Sequence, residues 1–197
     1  MSKLILGVAT NSKGHYKAKH DGKMTKSYTT WFNMLLRAYC PKLHARHPTY
    51  LGCSVAGEWL EYQRFAEWYE AHEYSNRGYE LDKDLLIPGN KVYAPDHCVF
   101  VPSQLNNLLT DSKAIRGQYK QGVCWHKPSG RYLARVSAGS KREFLGYFDC
   151  PQEAYQAYKI AKEANVKRMA LEWQDRIASD VFDALMRWEL TLNKGVQ

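Results

Sequence analysis

The stretch Gly122–Ala161, GVCWHKPSGRYLARVSAGSKREFLGYFDCPQEAYQAYKIA, constrains this chain more than any other part of it. Two short alternating runs meet at Pro128-Ser129-Gly130, and a third run follows the turn Gly139-Ser140-Lys141-Arg142. Asp149 or Pro151 then opens an amphipathic helix. Side chains alternate between the faces of a strand, so one face of the first two runs carries His126, Arg131, Leu133, Arg135 and Ser137. The other carries Val123, Trp125, Tyr132, Ala134 and Val136, which suits packing on a helix and leaves the first set to solvent. Trp125, Tyr132 and Phe148 share that inward parity and are expected in the core beneath the sheet. A cationic face on a three-stranded sheet has the right shape for a groove lined with phosphates.

The charge distribution points the same way. The formal net charge is +8 over 197 residues, and its placement is uneven. Residues 1–27 hold six lysines against one aspartate, and residues 113–147 hold eight Lys or Arg against one glutamate. Residues 57–86 run the other way, with eight acids and three bases. Two basic blocks around an acidic one imply a polyanionic partner with a localised footprint. No apolar run approaches membrane-spanning length, and no signal-peptide pattern opens the chain. Five cysteines without CxxC pairs fit a reducing compartment, so a cytoplasmic location is expected.

Four segments follow from this reading. Residues 1–27 form an irregular basic arm. Residues 28–112 hold a helix over Tyr28–Tyr39, a second over Gly57–His72, strands at Glu80–Leu85 and Cys98–Val101, and a short helix opening near Ser103. Thr110–Gln121 reads as a linker, and residues 113–164 form the sheet-and-helix module. From 165 to 197, Val166, Met169, Ala170, Trp173, Ile177, Val181, Leu185 and Trp188 recur at three- and four-residue intervals. That spacing predicts a long amphipathic C-terminal helix, which either docks on its own chain or makes a homodimer with a second copy. The fold class is α+β.

Polar chemistry is densest in Leu81-Asp82-Lys83-Asp84, Pro95-Asp96-His97-Cys98 and Leu105-Asn106-Asn107. Carboxylates on a strand and amides on a helix can converge on a divalent cation such as Mg²⁺, which needs few protein oxygens. Thr30-Trp31-Phe32-Asn33-Met34-Leu35-Leu36-Arg37, Pro48-Thr49-Tyr50, Glu58-Trp59, Leu81-Asp82-Lys83-Asp84, Gly89-Asn90-Lys91-Val92-Tyr93, Cys98-Val99-Phe100-Val101-Pro102 and Asn106 resemble the phage-encoded HNH (His-Me finger) homing endonucleases. Gly122-Val123, Gly130-Arg131-Tyr132, Ala134, Leu145-Gly146-Tyr147-Phe148 and Glu153-Ala154-Tyr155-Gln156-Ala157-Tyr158 resemble the Apetala-type DNA-binding domain that many of those nucleases carry. The resemblance covers about residues 28–161 and implies a degenerate ββα-metal unit followed by a sheet that enters the major groove. It implies Asp82 as a metal ligand, with Asn106 or Asn107 as the second. The family's general-base histidine is missing: Lys83 stands in its place, and His97 is the other candidate base.

On the sheet module, the resemblance makes His126, Lys127, Arg131, Arg135, Ser137, Lys141 and Arg142 the DNA-contacting set. Arg131 and Arg135 can each grip guanine O6 and N7 with two donors, whereas Lys127, Lys141 and Arg142 at turns suit phosphate. Cys40, His44, His47 and Cys53 lie within fourteen residues, but not at a standard zinc spacing, so structural zinc is not expected. Two functions fit: a metal-dependent DNA endonuclease or nickase, or a DNA-binding protein whose nuclease-like half is an inactive scaffold. An RNA-binding module is the third reading, and inward-facing aromatics argue against it.

Overall fold

The computed structural model describes residues 4–109, 118–138 and 141–190, with Ala138 and Lys141 described by backbone alone. The chain is mixed α and β and divides into two compact units, Met1–Pro102 and Ser103–Gln197. Among the described residues no helix is long and apolar enough to cross a membrane.

In the first unit the expected irregular arm is folded. β1 (Lys19–His20) and β2 (Lys23–Met24) form an antiparallel hairpin. Ala9 is fully buried in the core, and Glu61 accepts hydrogen bonds from Thr10 and from the Ser12 amide and hydroxyl. Lysines dominate the composition of this segment and hide the few small residues that anchor it. α1 (Lys26–Tyr39) begins where Thr25 Oγ1 accepts from the Tyr28 amide at 3.3 Å. Its buried residues Trp31, Met34, Leu35 and Ala38 recur at helical spacing. α2 (Pro41–Arg46) follows, with Pro41 in its first turn.

The helix expected over Gly57–His72 is two pieces: a 3-10 turn, Gly57–Leu60, and α3 (Tyr62–Ala71). The break falls at Glu61, whose carboxylate accepts from the Gln63 amide at 3.3 Å and starts α3 afresh. Trp31, Trp59, Tyr62, Phe65 and Phe100 form the aromatic core. Trp31 Nε1 donates to the Trp59 carbonyl at 2.7 Å, so this buried donor is satisfied. β3 (Ser54–Val55) pairs in parallel with β5 (Val92–Tyr93), and β4 (Glu80–Asp82) pairs antiparallel with β6 (Val99–Val101). β4 stops three residues short of the expected Leu85, because Asp82 Oδ1 accepts from the amides of Asp84 and Leu85 at 2.9 and 2.7 Å. That side-chain cap turns the chain out of the ladder.

The second unit holds α4 (Ser103–Leu109), β7 (Val123–His126), β8 (Arg131–Ala138), β9 (Lys141–Phe148), α5 (Pro151–Trp173) and α6 (Ser179–Arg187). β7–β8–β9 is a three-stranded antiparallel sheet. Most of the expected linker, residues 110–117, and Gly139-Ser140 of the expected turn lie outside the described residues. α5 covers the inner face through Tyr155 and Tyr158, which cluster with Val136, Val123 and Leu145. Pro151 opens the helix, and Cys150 Sγ accepts from the Glu153 amide at 3.4 Å.

The long C-terminal helix is differently cut. The module's helix runs on through Trp173, a 3-10 turn spans Gln174–Arg176, and α6 turns back onto α5. Arg176 ends α5 by donating to the Glu172 carbonyl at 2.7 Å while its guanidinium lies 3.9 Å from the Trp173 ring centroid. Val166, Ala170, Ile177, Val181 and Leu185 are all buried within the chain, so the apolar stripe read from the sequence is used internally.

Gly122 is where backbone conformation and packing coincide. Its φ is +79°, and a Cβ there would lie 2.0 Å from the Tyr158 ring. Gly122→Ala is expected to lose about 2–4 kcal/mol from left-handed backbone strain plus overpacking, measured by chemical denaturation.

Candidate nucleic-acid interface and carboxylate cluster

The outer face of β7–β9 is set by register. His126 pairs with Arg131, Cys124 with Leu133, and Leu133 in turn with Tyr147. Arg135 pairs with Phe144 and Ser137 with Arg142. Directly opposed residues share a face, so Arg131, Arg135, Ser137, Arg142 and His126 lie on the side away from α5. Arg135, Ser137, Arg142 and Lys127 are exposed. The Lys141 side chain lies outside the described residues.

The cations on this face differ in what holds them. Arg131 Nε donates to Asp149 Oδ1 at 2.8 Å, which leaves its two terminal nitrogens to act outward. His126 Nδ1 lies 2.8 Å from Ser129 Oγ, and its ring sits 5.0 Å from that of Tyr147. Among the described residues, neither Arg135 nor Arg142 has an acidic partner. Arg135 therefore presents its full fork of donors, and the sheet sets its direction.

A bulge between Ala134 and Arg135 re-aims β9. Leu145 is the extra residue, and Gly146 takes φ +138°. This puts Phe144 and Tyr147 on the outer face, 53% and 37% exposed, with ring centroids 5.1 Å apart. The expectation that aromatics point only inward is thus corrected. Leu133, expected at the surface, is buried, because parity fixes a face and large neighbours on that face fix exposure. Trp125, expected in the core, is 43% exposed and packs edge-on against Tyr132 at 4.9 Å. It lies on an edge strand that α5 covers only partly. The bulge had a sequence signal: Leu145 and Phe148 are both apolar with an odd spacing, and a glycine stands between them.

The second candidate cluster belongs to the first unit. The Asp82 carboxyl is pushed up to about 6, first by burial and then by the charge of Asp84, against the pull of the two amides it caps. Lys83 is buried, its Nζ 3.2 Å from Asp84 Oδ2 and 5.7 Å from the Tyr93 ring centroid. Asn90 ties the loop together, donating to the carbonyls of Lys83 and Val92 at 2.7 and 2.8 Å and accepting from the Val92 amide at 3.0 Å. Arg37 Nη1 donates to the Leu81 carbonyl at 3.3 Å, behind the same strand. Burial pushes the Cys98 thiol up to about 12, which keeps it out of thiolate chemistry.

Asp82, Lys83 and Asp84 are thus together, while no hydrogen bond or ion pair among the described residues joins His97 to them. His97 Nδ1 is buried without a hydrogen-bond partner among the described residues. Asn106 and Asn107 stand on α4, in the other unit. Arg37 and Asn90 were not among the expected site residues, and Asp84 was expected only as part of the carboxylate cluster, without a ligand role. Asn90 did have a signal, since it follows the Ile87-Pro88-Gly89 turn and an amide there can staple the loop.

At Cys40, His44, His47 and Cys53, His44 Nε2 lies 2.8 Å from the Arg37 carbonyl and Cys53 is buried. Among the described residues no three His, Cys, Asp or Glu side chains are grouped to hold a metal. Comparison of the chain with protein-family models, curated proteins and solved structures finds no match.

The Asp82 shift has a stability consequence. A carboxyl whose folded pKa is raised binds its proton more tightly in the folded state. Its contribution is therefore favourable below the unfolded value of 3.8 and is lost as pH rises towards about 6. Asp82→Asn keeps the acceptor for both amides and removes the buried charge. It is expected to be more stable than wild type at pH 7.5 by about 1–3 kcal/mol, with the gap closing near pH 4. Thermal melts across that range measure it.

Proposed function

We propose that this chain binds double-stranded DNA through the outer face of β7–β9 and cleaves or nicks it with a divalent cation, as an HNH-type endonuclease does. The observation that carries the DNA-binding half is the sharing of one face by Arg135, Arg142, Arg131 and His126, with α5 packed on the other. Arg135 is the base reader of choice because its fork is unengaged and its backbone is fixed in a ladder. Arg142 near the start of β9 and Lys127 in the β7–β8 turn serve as phosphate contacts, and Phe144 beside Arg135 offers an apolar edge to thymine methyl groups.

The catalytic half is supported by chain order and by the carboxylates. A strand ending in Asp82, a loop, the antiparallel strand Val99–Val101 and then a helix follow the order of the ββα-metal unit. Asp84 is close enough for its charge to raise the Asp82 carboxyl, and a hard cation there would favour the charged form of Asp82. Asp82 and Asp84 would hold Mg²⁺, with its remaining ligands from water and phosphate. When bound, the ion would stabilise charge developing on the phosphate. The Lys83 ammonium lies against Asp84, which suits a positioning cation better than a base. His97, with an unengaged ring nitrogen, is the better candidate to accept a proton.

The second reading, a DNA-binding protein with an inactive scaffold, is favoured by the absence of a histidine at position 83. Supercoiled plasmid with Mg²⁺ or Mn²⁺ separates the two: wild type is expected to nick it, and Asp82→Ala to bind without nicking. Tight binding with no cleavage by either protein supports the scaffold. Arg135→Ala is expected to cost about 1–3 kcal/mol on the preferred site and to relax sequence preference. Equal losses on random and preferred duplexes would reassign Arg135 to phosphate.

A further inference from the structure

The first unit carries a cationic element that the sheet-based reading does not use. β1 and β2 are joined by Asp21-Gly22, with φ of +48° and +76°, the two positive values that a tight two-residue hairpin turn requires. Every residue from Lys19 to Met24 is exposed. Lys19 pairs with Met24 and His20 with Lys23. Opposed residues share a face, so Lys19 stands on one side of the ribbon and Lys23 on the other. The lone acid, Asp21, is 3.1 Å from His20 Nδ1. Among the described residues neither the Lys19 nor the Lys23 side chain has an ion pair or hydrogen bond.

The ribbon is held firmly at its root. The Thr25 amide donates to the Ala18 carbonyl at 3.0 Å, and Thr25 Oγ1 and the Tyr62 hydroxyl donate to the Lys17 carbonyl at 3.1 and 3.2 Å. Just before it, Gln63 accepts from the Tyr16 amide at 3.0 Å and donates to the Tyr16 carbonyl at 2.9 Å. The prong therefore has little ordering cost left to meet on binding.

We propose that the β1–β2 hairpin is a second duplex-DNA contact, lying in a groove with Lys19 and Lys23 directed at phosphates on its two walls. The major groove, about 12 Å wide, admits a two-stranded ribbon. A ribbon with a cation on each face matches a groove with a phosphate row on each side. This inference rests on the DNA-binding reading above. It adds that the first unit contributes its own affinity, so that two attachment points on one chain reinforce each other.

The test measures duplex affinity of the full chain against salt for wild type, for the double variant Lys19→Gln/Lys23→Gln, and for the control Lys42→Gln/Arg46→Gln, which removes two exposed charges on α2 of the same unit. Each lost phosphate contact lowers the slope of log K against log salt by about 0.9, so the hairpin variant is expected to be shallower by about 1.8, with the control unchanged. Added duplex should also protect Lys19 and Lys23, and not Lys42, from acetylation read by mass spectrometry. An unchanged slope in the hairpin variant, equal losses in hairpin and control, or no protection would overturn the proposal. In any of these cases retained binding with an Arg135→Ala defect leaves the sheet reading standing. Failure of wild type to hold duplex DNA at low salt would overturn both.

Discussion

Burial of one face of β7–β9 under α5 is the constraint from which the rest of the second unit follows. Val136, Tyr155 and Tyr158 must meet beneath the sheet, and once they do, alternation sends Arg135 and Ser137 to the other side. Gly122 makes that contact possible by leaving room for the Tyr158 ring. The bulge at Leu145 then decides which β9 side chains join the arginines. Without it Phe144 and Tyr147 would not both face outward. Charge and apolar surface on the outer face are thus products of one packing event rather than separate designs.

In the first unit the comparable device is local. Asp82 ends β4 by capping two amides, Asn90 staples the loop that follows, and Lys83 is held in the interior by Asp84 and the Tyr93 ring. A buried lysine beside a carboxylate pair is costly unless each partner is well placed, and removal of one leaves the others uncompensated. The same arrangement keeps two acids close together at a strand end, the condition under which a divalent cation gains most from binding.

Much of this was legible in the sequence where periodicity was clean. Trp31, Leu35 and Ala38 gave α1, the runs around Trp125 and Leu133 gave the sheet, and Pro151 gave the start of α5. The site was legible in composition more than in geometry. The Asp82-Lys83-Asp84 triplet was visible, but that Lys83 turns inward depends on Tyr93 and Asn90, which only the folded loop brings near. The breaks at Glu61 and Trp173 were missed for a related reason. Each is made by a side chain returning to a nearby backbone group, Glu61 to an amide and Arg176 to a carbonyl, and apolar spacing does not register such bonds. The folded arm was hidden by its own lysines, since its anchors are a few residues, Thr10, Ser12 and Tyr16, bonded to Glu61 and Gln63 at the start of α3.

The Arg131–Asp149 pair gives the outer face a property of its own. Both side chains are partly open to water, and ion pairs of that kind contribute little, about 0–1 kcal/mol. Any anion that met Arg131 would therefore compete with a weakly held carboxylate instead of meeting a bare guanidinium. The carboxylate offsets the charge at one corner of the face. That corner therefore differs from Arg135 and Arg142, which have no acidic partner among the described residues.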